Sequence, residues 1–140
     1  MFRWVDSIAE RGEALWLLIG RVGIGVLFAP SGYGKLTGPG LTGMLTAKGL
    51  PAPDVLNMVA GAIELLGGIA LIIGLKTRTV AGILIVFTII ATLLAHQYWM
   101  FTDPAVYGMQ RINFYKNLAI IGGILYVFVR GAGPLSVDRR

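Results

Sequence analysis

The sequence predicts an all-α polytopic membrane protein, a four-transmembrane-helix antiparallel bundle with a short N-terminal interfacial helix. Composition is the first support: 56% of the residues are apolar and 14% are charged, whereas soluble domains carry about 25% charged residues. The mean hydropathy of +0.76 is the second. The third is the presence of four long apolar segments. Each contains about 18–23 residues, enough to cross a hydrocarbon core of roughly 30 Å.

The apolar segments define four predicted spans within a single membrane domain, residues 1–140. The spans cover about 14–36, 55–75, 80–100 and 112–129. The second and third are separated by a short basic link between Lys76 and Thr79. Because so short a link cannot cross the membrane, these two helices must be antiparallel neighbours.

Residues 2–13 precede the first span and mix apolar and charged side chains at helical spacing. Phe2, Trp4 and Ile8 would share the apolar face. A helix of this kind lies in the plane of the membrane interface. Glycines in the spans indicate how helices approach one another, and Ala70-x-x-x-Gly74 is such a small-residue pair.

Lysine and arginine residues at the ends of the spans predict the orientation, because cytoplasmic loops carry an excess of both. One side holds seven: Arg3, Arg11, Lys76, Arg78, Arg130, Arg139 and Arg140. The opposite side holds four: Lys35, Lys48, Arg111 and Lys116. Both termini are therefore predicted to be cytoplasmic. The basic residues form no patch, so no nucleic acid partner is predicted despite the net charge of +5.

The residue inventory restricts the chemistry. The chain has no cysteine, which removes disulfides, dithiols and thiolate metal sites. Its single histidine could give haem only one imidazole ligand. No dinucleotide, phosphate-loop or metal-cluster motif appears, so we expect no metal site and no covalently bound cofactor.

Glu64 is the most informative polar residue, because it falls near the middle of the second predicted span. A carboxylate there must hold its proton or pair with a cation. Arg21, roughly 10 Å deep in the first span, is the predicted partner. Two interpretations stay open: the pair fixes helix register, or Glu64 handles a proton or binds a ligand.

A second group of polar and aromatic residues lies near the outer ends of the predicted spans. It contains Lys35, His96, Tyr98, Trp99, Tyr115, Lys116 and Asn117. The lysines could snorkel to the interface beside an aromatic belt. Alternatively, the group forms a pocket for a quinone, a catechol or a small oxyanion. In that pocket the rings would stack on the ligand, while lysine and histidine would donate to its oxygens.

These residues belong to an ordered series of short motifs. In chain order the series is Arg21, Leu27-Phe28-Ala29-x-Ser31-Gly32-x-x-Lys35, Glu64-Leu65-Leu66-Gly67-Gly68, Gly74-Leu75-x-Thr77-Arg78, His96-x-Tyr98-Trp99, Asn113-Phe114-Tyr115-Lys116-Asn117 and Gly131-x-Gly133-Pro134-Leu135-Ser136-Val137-Asp138. From about residue 14 to the C-terminus, the series resembles the DoxX family of small four-helix bacterial membrane proteins.

The resemblance implies location in the inner membrane and a link to quinones or phenols. The family is named after a subunit of a thiosulfate:quinone oxidoreductase. Other members are linked to catechol or quinone resistance and to membrane complexes that answer oxidative stress. The positions that match the family pattern are Arg21, Lys35, Glu64, Lys116 and Asn117.

Three functions stay open at this point. The first is a ligand-binding accessory subunit that uses a quinone and takes electrons from a redox partner protein, because the sequence shows no redox centre. The second is a non-enzymatic scaffold that assembles a partner complex. The third is a small proton-coupled transporter, which would need a homo-oligomer to enclose enough volume.

Overall fold

The computed structural model describes residues 3–139, which form six α-helices joined by short connections. These are α1 (Arg3–Arg11), α2 (Glu13–Thr37), α3 (Thr42–Ala47), α4 (Pro53–Ile73), α5 (Thr77–Ala95) and α6 (Pro104–Arg130). Among the described residues, α2, α4, α5 and α6 are long and apolar enough to cross a membrane. The predicted fold class is confirmed. Phe2 and Arg140, which entered the predictions above, lie outside the described residues.

The four spanning helices run alternately up and down, so the bundle has two ends. We name the end that contains the connections 38–52 and 96–103 the distal end. The other end contains α1, the turn 74–76 and the C-terminal residues 131–139, and we name it the terminal end. Helix α1 has no buried residue, and Trp4 and Ile8 remain exposed on it. Its location at a membrane interface stays a prediction.

Two helix boundaries at the distal end differ from the prediction. Helix α5 ends at Ala95 rather than near residue 100, and a short 3₁₀ turn, Tyr98–Met100, follows it. Helix α6 begins at Pro104 instead of residue 112. The Asp103 carboxylate accepts two backbone N–H groups of the first turn at 3.0 Å, and proline suits the first helical position. Local capping therefore starts α6 two turns before its apolar segment.

Glycines allow α2 and α4 to pack backbone against backbone. Gly25 lies opposite Gly68, and Gly32 lies opposite Gly61. A Cβ atom on Gly25 would stand 2.6 Å from the carbonyl oxygen of Gly68, so any side chain there would separate the helices. The predicted contact through Gly74 is wrong. Gly74 has a φ of 72° and terminates α4 in the left-handed conformation that glycine favours.

An apolar core fills the bundle between its middle and its terminal end. All four spanning helices contribute to it, and its buried members are Phe28, Leu71, Ala81, Leu84, Ile124 and Val127. Leu71, Leu84 and Ile124 have no exposed surface. This layer separates the polar groups near the middle of the bundle from those at the terminal end.

The C-terminal residues 131–139 fold back over the terminal end, and we name them the C-terminal clasp. The amide of Val137 donates to the carbonyl of Ile73 at 3.0 Å, and the amide of Asp138 donates to the carbonyl of Gly74 at 2.9 Å. The last carbonyls of a helix have no partner within that helix. The clasp supplies the missing donors for α4.

The Asp138 side chain caps the following helix. Its carboxylate accepts the backbone N–H groups of Lys76 and Thr77 at 2.8 and 2.7 Å. These hydrogen bonds, the one from Thr77 foremost, hold the pKa of Asp138 below its usual value of 3.8. One carboxylate from the end of the chain therefore satisfies the start of α5.

We expect Gly68→Ala to lower the free energy of unfolding by about 1–3 kcal/mol, because the new methyl group would overpack the contact between α2 and α4. Equilibrium unfolding in mixed micelles measures this. Gly122→Ala is the control, since a Cβ at Gly122 meets no atom within 4 Å. It should be neutral or stabilise by up to about 1 kcal/mol through helix propensity. Equal losses in the two variants would contradict the packing argument.

The Asp138 cap predicts a pH dependence of the C-terminal clasp. Because the folded-state pKa lies below 3.8, the carboxylate stabilises the folded clasp above that pH and loses this effect as the pH falls below it. Hydrogen-exchange protection factors of Val137 and Asp138 should therefore hold above about pH 4 and drop as the pH falls below it. Asp138→Asn keeps a capping oxygen without the ionisation, so its profile should be flat. The same drop in Asp138→Asn would contradict this origin.

Candidate functional site

A charged pair lies inside the bundle, between the last turn of α2 and the middle of α4. The Lys35 ammonium donates to the Glu64 carboxylate at 2.6 Å and to the Ser31 hydroxyl at 2.8 Å. The side chain of Lys35 is only 15% exposed, and that of Glu64 is only 9% exposed. A charge within a membrane span is costly unless it is paired. Lys35 and Glu64 each reduce that cost for the other, although the desolvation of both groups still opposes their burial.

The geometry of α2 explains why Lys35 reaches inward. Side chains on a helix tilt toward its N-terminus, and Lys35 lies in the last turn of α2 at the distal end. Its side chain therefore runs back toward the middle of the bundle. Asn57, which is buried, holds this turn in place by donating to the carbonyl of Lys35 at 2.9 Å. The same amide accepts the N–H of Leu41 at 2.8 Å.

The predicted pairing of Arg21 with Glu64 is wrong. Arg21 is 1% exposed, and its guanidinium donates to the carbonyls of Leu71 and Ile72 at 2.7 and 2.6 Å. It also donates to the carbonyl of Leu135 in the C-terminal clasp at 2.6 Å. Arg21 thus joins α2, the end of α4 and the clasp.

The same side-chain tilt accounts for this correction. Arg21 points toward the start of α2, which is away from Glu64. Its hydrogen-bond partner Leu71 lies seven residues beyond Glu64 on α4, a separation of roughly 10 Å along the helix. The carbonyls of Leu71 and Ile72 at the end of α4 are closer to the guanidinium, and its Nη1 donates to both of them.

A cavity of about 150 Å³ adjoins the charged pair, between α2, α4, α5 and α6. Its polar wall is formed by Ser31, Glu64, Thr88 and Asn117. Its apolar wall is formed by Leu27, Phe28, Phe87, Ala91 and Ile120. The cavity therefore combines a carboxyl group paired with Lys35, neutral hydrogen-bonding groups and two phenyl rings, and we name it the central cavity.

A short chain of hydrogen bonds orients Asn117 on the wall of the central cavity. The Asn117 amide donates to the Thr92 hydroxyl at 2.9 Å, and Thr92 donates to the carbonyl of Thr88 at 2.6 Å. Thr88 in turn donates to the carbonyl of Leu84 at 2.7 Å. Because Thr92 accepts from the amide nitrogen, the Asn117 side-chain oxygen is left to accept from another donor.

The predicted aromatic residues form a cluster of their own at the distal end. The Tyr98 ring contacts the rings of Trp99, Tyr107, Phe114 and Tyr115 with centroid separations of 5.2, 5.5, 5.5 and 6.4 Å. Tyr107 and Phe114 were not predicted as members. Most of these rings meet edge to face, a favourable arrangement. The rings thus pack on one another, and none lines the central cavity.

His96 and Lys116 do not join Lys35. The Nδ1 atom of His96 lies 2.8 Å from the side-chain oxygen of Gln110, which links the end of α5 to α6. Lys116 is exposed. Because α6 starts at Pro104, Lys116 lies twelve residues into the helix, about 18 Å from its start. The predicted pocket is therefore divided, and Lys35, Glu64 and Asn117 are the predicted residues at or beside the central cavity.

These features define a class of protein: a helical membrane protein with four spans and a lysine–glutamate pair inside them. The family model DoxX matches residues 16–97. The chain belongs to the DoxX family, and it is an integral inner-membrane protein.

The similar proteins include two that match over nearly their full length. Inner membrane protein YphA of Escherichia coli is 34% identical over 139 residues, which cover 99% of this chain and 97% of YphA. Inner membrane protein YqjF of the same organism is 34% identical over 127 residues, 91% of this chain and 92% of YqjF. The Surfeit locus protein 4 homolog of Schizosaccharomyces pombe is 30% identical over 70 residues, 49% of this chain and 23% of that protein. No solved structure matches the chain.

A double-mutant cycle tests the charged pair. Glu64→Gln and Lys35→Met should each lower the free energy of unfolding by on the order of 3–5 kcal/mol, because each leaves the other charge unpaired. The double variant should lose clearly less than the sum of the two. The control combines Glu64→Gln with Arg21→Met. In this pair, the losses in unfolding free energy of the two single variants should add. Additive losses for Lys35 and Glu64, measured by unfolding in mixed micelles, would refute the pairing.

Proposed function

We propose that this protein binds a small phenolic or quinone ring in the central cavity and holds the ring oxygens with Glu64 and Asn117. The observation that carries the proposal is a paired carboxylate on the wall of a cavity of about 150 Å³ inside the spans. A charged group that is expensive to keep in a membrane, beside space for a ligand, favours a functional role.

The size of the cavity selects the ligand class. An apolar cavity of about 150 Å³ in another protein binds benzene, so a single six-membered ring with small substituents fits this volume. Phe28 and Phe87 provide ring faces against which such a ligand can pack. A catechol, a simple phenol or a benzoquinone head group meets these requirements.

The polar wall supports an oxygenated ring over a hydrocarbon. The Asn117 side-chain oxygen can accept from a phenolic hydroxyl, and the free N–H of its amide can donate to a quinone carbonyl. The Glu64 carboxylate can accept a phenolic proton, while Lys35 stabilises the negative charge that remains. The chain thus holds the ring and one of its protons.

In this proposal the protein is an accessory component of a redox or stress-response system rather than an enzyme by itself. The ring is the redox-active group, and a partner protein exchanges electrons with it. The excess of lysine and arginine at the terminal end supports cytoplasmic termini. The distal end would then face away from the cytoplasm.

A cavity-filling variant tests the site. Ala91 lines the central cavity, so Ala91→Leu should weaken catechol binding at least roughly tenfold, since the larger side chain occupies part of the ring volume. Isothermal titration calorimetry on the full chain in nanodiscs measures the affinity. Ala119→Leu is the matched control, because Ala119 lies exposed on α6, and its affinity should equal that of the unmodified protein.

Three results of the binding measurements would count against the proposed site or function. Unchanged binding in Ala91→Leu would place the ring elsewhere and refute the site. Loss of binding in Lys116→Ala would also contradict the proposal, because Lys116 is exposed and does not line the central cavity. No binding of catechol or benzoquinone, together with capture of a stable partner protein, would favour the scaffold function.

A further inference from the structure

A second cavity lies at the distal end, and Lys35 of the charged pair lines part of its wall. It is a crevice of about 510 Å³ between the end of α2, α3 and the start of α4. Lys35, Asp54 and Asn57 supply polar groups to its wall, beside apolar residues such as Leu36 and Met58. We name it the distal crevice.

Lys35 lies between the two cavities. It lines the distal crevice, while its ammonium contacts Ser31 and Glu64, both of which line the central cavity. Among the described residues that line either cavity, the ionisable side chains are Lys35, Asp54 and Glu64. A proton that passes from one cavity to the other would therefore meet Lys35.

Within residues 3–139, no comparable chain of polar groups leads from Glu64 to the terminal end. Leu71, Leu84 and Ile124 are fully buried on that side and belong to the apolar core. Arg21 lies beyond this layer, with its guanidinium bonded to backbone carbonyls. A proton crossing a packed apolar layer would lose its hydrogen-bond partners, at high cost.

We propose that Lys35 is a proton relay that connects Glu64 with the distal crevice alone. A ring hydroxyl gives its proton to the Glu64 carboxylate. Lys35 releases one of its ammonium protons to water in the distal crevice and takes up the proton from Glu64. The net result is one proton delivered to the distal side, with the phenolate left beside a cation.

This inference deepens the proposed function, since the ring supplies the proton that is relayed. The route from the distal crevice to Glu64 nevertheless exists without a ligand, and it can be tested without one. Asn57 acts as a positioning residue in this route, because it holds the carbonyl of Lys35 and so fixes the base of the relay side chain.

The experiment measures how fast Glu64 exchanges protons after a pH jump, in the ligand-free full chain in nanodiscs. The infrared carboxylate and carboxylic acid bands, assigned through Glu64→Gln, report its protonation. Lys35→Arg is the decisive variant, because arginine keeps the positive charge but does not release a proton in proteins. Exchange should slow at least roughly 100-fold, the range of a lost acid–base group.

Lys48→Arg is the matched control, since Lys48 is exposed at the distal end and donates to Gln97 instead. Its exchange rate should equal that of the unmodified protein. Lys35→Gln is the second variant, because a shorter neutral side chain avoids any steric effect of arginine, and it should slow the exchange as well. Exchange at the unmodified rate in both Lys35 variants would overturn the relay.

The side of access is tested separately. The chain has no cysteine, so Thr42→Cys introduces a single thiol at the wall of the distal crevice. A charged thiol reagent can then modify this position. This modification should slow the exchange, whereas modification of Thr79→Cys at the terminal end should not. The reverse result would overturn the proposed side. Normal proton exchange in a protein that binds no ring would refute the proposed function and leave the relay standing.

Discussion

The organisation of this protein depends on the cost of placing a carboxylate within a membrane span. Glu64 is accommodated there because the Lys35 ammonium comes within 2.6 Å of its carboxyl group. That distance requires α2 and α4 to lie very close together, and Gly25, Gly32, Gly61 and Gly68 permit this approach. The glycine contact and the charged pair are therefore one structural unit. Both sit on the same two helices, and the central cavity opens beside them.

At the terminal end, the groups that need partners in an apolar environment belong to the backbone. The last carbonyls of α4 would be unsatisfied in an apolar environment. Arg21 donates to two of them, and the C-terminal clasp donates to two more. Asp138 then satisfies the first amides of α5. The buried Arg21 is thus a structural hydrogen-bond donor at the terminal end, and the candidate site residues lie nearer the distal end.

The two ends consequently have different properties. Hydrogen bonds to the backbone stabilise the terminal end, and the apolar core lies between this end and the middle of the bundle. The distal end has a crevice that reaches Lys35. This asymmetry connects the proposed binding of an oxygenated ring with the proposed proton relay. Among residues 3–139, Lys35 provides a polar path from Glu64 toward the distal end, and the apolar core lies in the other direction.

The sequence by itself determined the fold class and the four spans, and it selected Glu64, Lys35 and Asn117 as candidate site residues. Apolar length and the cost of intramembrane charge are local properties, readable without coordinates. The start of α6 was also encoded locally, in Asp103 and Pro104. The partner of Glu64 was decided by the tertiary structure. Arg21 and Lys35 lie on the same helix, and both side chains tilt toward its start. That tilt brings Lys35 to Glu64 and takes Arg21 away from it. The result depends on how far α4 is shifted along α2, and only the packing of these two antiparallel helices decides that shift.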